Sequence, residues 1–368
     1  MSKSILADHT SHRLLSLDAF RGITMFLLIA EAALVYQALL GFFPEDSMAH
    51  QVAIQFTHHP WHGLRFWDLI QPFFMFIVGV AMPFSLNRRL EQGNKNKVTR
   101  HILRRCLLLF LFGTGLHCLY SGKLVFELWN VLTQLSFTIL LTYLLLRKPF
   151  GIQLSVSIFL LILTEILYRI YNPEAPFVKG ENFGSYMDMI LMGKINGGGW
   201  VAINFIPTAA HTIWGAMVGN LLINKANTNR IKPLLLAGLA GLTIGYVLDW
   251  SGVTPVIKRI STSSFVLISG GWAILALLFC FYLVDIKKKN NWIKPFVIVG
   301  MNSIFIYLFA EMLGHTWLYP KIGIFTEGIW IPLGLSASFL NLITALLTLL
   351  VMWLICRFLY RRNVFIKI

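Results

Sequence analysis

The chain has 368 residues, of which 57% are hydrophobic and only 13% charged. Ordinary soluble domains carry about 25% charged residues, so this makeup excludes a soluble globular fold. The net charge of +15 invites a nucleic-acid reading. The basic residues flank apolar runs rather than gathering in one patch, however, and no nucleic-acid partner is expected.

In chain order, a polar start (Met1–Arg13) with no small-residue cleavage site leads into the first apolar run. Apolar runs bounded by breaks then predict spans near 17–42, 65–87, 102–120, 129–147, 150–171, 200–224, 233–251, 263–285, 294–314 and 336–358. The expected fold is therefore all-α: a polytopic transmembrane helix bundle of about ten spans in a single domain, 1–368. With the N-terminus in the cytoplasm, 23 of the 31 Lys and Arg fall on cytoplasmic segments. This places 1–16 and the C-terminus in the cytoplasm and makes 43–63 and 172–199 the larger outer loops. The four cysteines, Cys106, Cys118, Cys280 and Cys356, lie in or beside apolar segments without metal-ligand spacing and read as small core residues. No metal is expected.

Charged groups inside spans are costly, about 3 kcal/mol or more each, and so are functional candidates by default. They are Asp18, Arg21, Glu31, Asp68, Glu165, Asp249 and Glu311, together with His117 and His211. Asp18 and Arg21 share a helix face and read as a pair, as do Glu165 and Arg169. Asp68 opens the apolar run Leu69–Met82, and Glu311 sits in an equally apolar segment, so one of these acids is expected to orient a polar site. The densest chemistry is His58-His59-Pro60-Trp61-His62-Gly63, just before the second span. Histidine takes up a proton near neutral pH and also serves as a transient nucleophile. Zinc binding competes weakly, since the cluster lacks Cys and a helical two-turn pair. An interfacial His–Trp cluster without chemistry is the bland alternative.

These residues resemble the heparan-α-glucosaminide N-acetyltransferase group of transmembrane acyltransferases, including its bacterial members. The resemblance rests on Arg13-Leu-Leu-Ser-Leu-Asp18-Ala-Phe-Arg21-Gly22 and on His58-x-x-Trp61-x-Gly63-Leu64 followed by Asp68-Leu69-Ile70-x-Pro72-Phe73. It continues in Pro255-x-x-Lys258 leading to Ser264-Phe265-Val266-Leu267, and in Gly300-Met301-Asn302-Ser303 through Tyr307 to Glu311. The chain differs from the family pattern at Glu31, at Ser261 and over Gly197-Gly198-Gly199-Trp200.

The resemblance implies transfer of an acetyl group from cytosolic acetyl-CoA, a co-substrate, to an amino-sugar or sugar acceptor beyond an inner (cell) membrane. It implies that His58 is the active residue and that Glu311 and Asn302 fall on family positions. Asp68 or Glu311 is then expected to orient the imidazole, and Asn302 to donate to an oxyanion. Trp61, His62, Lys258 and Arg259 are expected to bind the acceptor, and Arg21, Arg105 and Ser264 the coenzyme. The lipid bilayer and the sugar are the expected partners, with room for a homodimer. The rival class is a sugar or amphiphile transporter, which the lack of a visible internal repeat disfavours.

Overall fold

Every apolar run singled out above is helical. The structure, a computed structural model, describes residues 14–91, 93, 95–223, 230–330 and 334–366, so most of the 1–16 segment lies outside the described residues. The helices in chain order are α1 (Leu15–Ala32), α2 (Val35–Phe42), α3 (Met48–Ile54), α4 (Ile70–Glu91) and α5 (Lys95–Ser121). They continue with α6 (Val131–Leu145), α7 (Phe150–Tyr171), α8 (Phe183–Met192), α9 (Phe205–Ile223) and α10 (Ile231–Trp250). The last are α11 (Ser263–Cys280), α12 (Lys294–Gly300), α13 (Ser303–Phe309), α14 (Tyr319–Trp330) and α15 (Ala337–Arg361). Short turns of 3₁₀ helix precede α4 and α9, and π-helical stretches extend α11 and join α13 to α14. The chain is thus an all-α, multi-pass membrane bundle.

Among the described residues, six helices are individually long and apolar enough to cross a bilayer, and up to eight spans result if each of two bent pairs counts as one. The expected count was ten. The difference arises at α6, which has only 15 residues, and at α9, which falls outside that set among the described residues. Two of the expected spans are bent. The first span bends by 62° between α1 and α2, where Leu34 adopts a left-handed φ of 62°. The ninth breaks by 77° after α12, and its second part runs on through α14. Residues 315–321, between the expected ninth and tenth spans, therefore stand on helix.

Between lipid-immersed helices there is no hydrophobic driving force, so close backbone approach through small residues does the packing. At the α4–α9 contact a Cβ on Gly79 would lie 2.1 Å from the Thr212 carbonyl oxygen, and one on Gly215 2.2 Å from that of Phe76. Gly22 of α1 meets α12 in the same manner, 2.2 Å from the Phe296 oxygen. These contacts pull α1, α4, α9 and α12 into the centre. Of the apolar window in Phe66–Asn87, 72% is buried, against 22% for Phe150–Tyr171 and 17% for Ile231–Trp250, which makes α7 and α10 peripheral. Their exposed Phe159, Ile162, Leu236 and Leu239 suit lipid.

Candidate active site

Asp68 organises the site from below. It is the last-but-one residue of the 3₁₀ turn Phe66–Leu69 that opens α4, and its side chain caps that turn by accepting from the Arg65 backbone N–H at 3.0 Å. The same Oδ2 accepts from the backbone N–H of His59 at 3.2 Å. Its Oδ1 lies 3.0 Å from Nδ1 of His58, so a carboxylate with only 1% of its side-chain surface exposed fixes the imidazole. Arg65 closes the loop from its other side: Nη1 donates to the His58 carbonyl at 3.0 Å and to Thr57 Oγ1 at 2.7 Å. Gly63 ends the segment at φ 138°, where an added Cβ would sit 2.6 Å from the His59 ring.

The loop between α10 and α11 supplies the other half. It is stitched to the histidine segment by the Gly63 N–H donating to the Val256 carbonyl at 2.9 Å and by a single bridge between His62 and Ile257. Asp249 strengthens the seam, with Oδ1 2.8 Å from His62 Nε2 and accepting from the Val256 N–H at 2.9 Å. Lys258 is thereby delivered, buried, to 3.1 Å from His58 Nδ1 and 3.6 Å from Asp68 Oδ1. Trp200 lies over this group: its ring is 5.4 Å from that of His58, with Lys258 Nζ at 5.5 Å and the Arg259 guanidinium at 5.8 Å from its centroid.

Burial, and then the neighbouring Lys258 charge, push His58 down to about 4 against the opposing pull of Asp68. The imidazole is therefore neutral at pH 7. Burial brings Lys258 down to about 8, opposed by Asp68 and Glu31, so it stays mostly charged.

His58 faces a cavity of about 120 Å³ lined also by Glu31, Trp67, Gln71, Phe74, Trp200, Lys258, Tyr307 and Glu311. Toward the opposite ends of α1 and α4 lies a larger cavity, about 540 Å³, lined by Asp18, Arg21, Phe74, Ser85, Arg105, Met301, Ser303 and Ile366 among others. Phe74 lines both. Helices α1, α4, α6 and α13 contribute to each, so the two cavities lie end to end along the bundle interior, meeting at one phenyl ring.

Of the residues singled out from sequence, His58, Asp68, Lys258 and Glu311 converge on the small cavity, and Arg21 and Arg105 on the large one. Others go elsewhere. Asn302, expected near the histidine, is fully buried beside the large cavity; it donates to the Val364 carbonyl at 3.1 Å and accepts from the Ile366 N–H at 2.9 Å. Its amide holds the C-terminal segment. Ser264, expected with Arg21 and Arg105, stands at the start of α11 at the histidine end and donates to the Pro255 carbonyl at 2.8 Å. Trp61 does not line the small cavity and donates from Nε1 to the Phe177 carbonyl at 3.1 Å. Arg259 hydrogen-bonds the Gly198 carbonyl as well as stacking on Trp200. His62 is spent on Asp249. Arg21 pairs with Asp18 at 3.8 Å and Glu165 with Arg169 at 2.8 Å, as expected from their spacing.

His211 lies between α9 and α11 against Ser269, and His117 against Glu127; neither lines the small cavity. Several wall residues, among them Trp67, Gln71, Phe74, Trp200 and Tyr307, carried no assigned role from sequence, and Glu31 stood out only as a charge inside a span. The departures from the family pattern at Glu31 and at Gly197–Trp200 were the available signal.

The class of molecule is thus a polytopic helical membrane protein with a carboxylate-held histidine facing an interior cavity. Residues 13–125 match a family model described as a domain of unknown function, DUF5009. Over 369 aligned residues the chain is 25% identical to human heparan-alpha-glucosaminide N-acetyltransferase, covering 82% of this chain and 53% of that protein. The chain spans about half the length of this curated relative, and the similarity supports a distant relationship. The DUF5009 match holds His58, Asp68, Arg21 and Arg105, while Lys258 and Glu311 lie beyond it.

Proposed function

We propose that the chain is a transmembrane acyltransferase that moves an acetyl group from cytosolic acetyl-CoA to an amino-sugar or sugar acceptor on the other side of a cell membrane. The observation that carries this reading is the pairing of a neutral, Asp68-held imidazole in a small chamber with a larger cavity reached past Phe74. Acetyl transfer across a bilayer needs those two compartments. The larger has room for the arm of a thioester donor and two arginines for anionic groups; the smaller suits an acyl group and the reacting atom of an acceptor. With Nδ1–H donating to Asp68, Nε2 presents its lone pair, either to attack the thioester carbonyl or to take the proton of an attacking acceptor. Glu31 and Glu311, on the same wall, offer carboxylates to an amine or hydroxyl. The name of the human relative carries the same chemistry, on a glucosaminide.

The test is purified protein with radiolabelled acetyl-CoA and a panel of amino sugars. Label is expected on the sugar with wild type and not with His58→Ala. Label retained on the protein itself, at His58, marks the imidazole as nucleophile, whereas transfer without labelled protein marks it as base. Sugar uptake into vesicles with no acetyl transfer would instead favour a transporter, which the same end-to-end cavities would serve.

A further inference from the structure

The contacts of His58 Nδ1 pose a problem that the acyl-transfer reading does not resolve. The nitrogen lies 3.0 Å from Asp68 Oδ1 and 3.1 Å from Lys258 Nζ. One ring nitrogen cannot donate to the carboxylate and accept from the ammonium at the same time. Asp68 and Lys258 expose only 1% and 7% of their side chains, so each charge must be balanced locally. Two groups compete to balance the carboxylate: the ammonium of Lys258 and an imidazolium at His58. Only the first leaves His58 a lone pair. An imidazole alone with a buried carboxylate is ordinarily driven toward its charged form.

Resting on the acyl-transfer reading, we propose that Lys258 is a positioning residue that supplies the counter-charge of Asp68 and so keeps His58 unprotonated and reactive. The other charges around the ring are consistent with this division. Arg259 stands on the same loop as Lys258, and Arg65 holds the His58 carbonyl. Of these two cations, Arg259 adds to the resistance against an imidazolium. His59 meets Asp68 through its backbone N–H. Glu31 from α1 and Glu311 from the π-helical stretch after α13 stand on the cavity wall, and Glu31 helps to keep Lys258 charged. The ordering of the burial and charge effects on His58, with Lys258 the largest charge acting on it, supports the same assignment.

The experiment reads the protonation of His58 directly and needs no acetyl transfer. The full-length protein in detergent is treated with diethylpyrocarbonate, which modifies neutral imidazole, across a pH series, and the His58 peptide is quantified by mass spectrometry. In wild type, His58 is expected to stay reactive down to about pH 5. Lys258→Met and Lys258→Gln should raise the inflection by about one pH unit or more, because Asp68 then recruits the imidazolium. Lys258→Arg keeps the charge and should keep the wild-type inflection. The double variant Asp68→Asn, Lys258→Met buries neither charge and should bring the inflection back toward acid, which keeps the test open if the single neutral variants fold poorly.

Neutral variants with the wild-type inflection would overturn the proposal. So would Lys258→Arg shifting as far as Lys258→Gln, or a double variant that stays raised. Absence of acetyl transfer by wild type would sink the acyl-transfer reading while leaving this titration intact, so the two failures are distinguishable.

Discussion

The two interior cavities are built on opposite plans. Around His58 the charged side chains are locked to one another: Asp68 accepts from two backbone N–H groups and contacts His58 and Lys258, while Glu311 accepts from Tyr120 at 2.5 Å. The cavity that remains is small, about 120 Å³. At the other end the space is about 540 Å³, and its walls are mainly apolar, with Asp18, Arg21 and Arg105 as the charged members. Pre-organised dipoles and charges act on a reacting centre, whereas an open apolar cavity with a few cations suits binding of a larger anionic molecule. On the proposed reading, this contrast puts chemistry at one end and donor binding at the other.

The largest expected effect breaks the histidine end alone. His58→Ala should lower acetyl transfer by about 10²–10⁴-fold while leaving acetyl-CoA binding, measured by equilibrium dialysis, within about twofold of wild type. Loss of donor binding as well would erase the division between the ends. Next comes the wall between them. Phe74→Trp enlarges the ring that both cavities share, and should lower kcat by about 10–100-fold with little change in donor affinity, as expected when reacting groups are kept apart.

Third, Arg105→Gln should raise the KM for acetyl-CoA by about tenfold with kcat nearly unchanged, since it removes one charge-assisted contact from the binding end. A fall in kcat instead would move Arg105 into the chemistry. The smallest effect is on pH. With His58 held down to about 4, transfer should be flat from about pH 5 to pH 7. It should decline only as the pH falls through about 4, where the ring gains a proton and loses its lone pair. An inflection in kcat/KM between pH 6 and 7, the range of an ordinary imidazole, would show that burial and Lys258 do not depress His58.

The helical elements were readable because apolar runs announce themselves whatever they pack against. His58 and Asp68 were readable as a pair of signals ten positions apart, although nothing local said that they touch. Lys258 is different. Its contact with His58 spans 200 positions, and it depends on a seam between two loops that periodicity does not encode.

The break after Gly300 was hidden because the apolar pattern continues through it, and Asn302, at the break, binds the C-terminal segment. Ser264 is a different case. Its motif marks the start of α11, the eighth expected span, and the alternation of spans from a cytoplasmic N-terminus already put that start at the end opposite Arg21 and Arg105. Trp200 follows three glycines that look like a plain loop, yet it covers the ring of His58.

The division of labour across the bilayer is tested most directly in proteoliposomes, with an amino sugar trapped inside, acetyl-CoA added outside, and acetylated sugar measured in the lumen. Wild-type protein should acetylate the trapped sugar, His58→Ala should not, and adding donor and sugar together on the donor side should give little product. Acetylation only when donor and acceptor share one side would contradict a path running from the large cavity to His58.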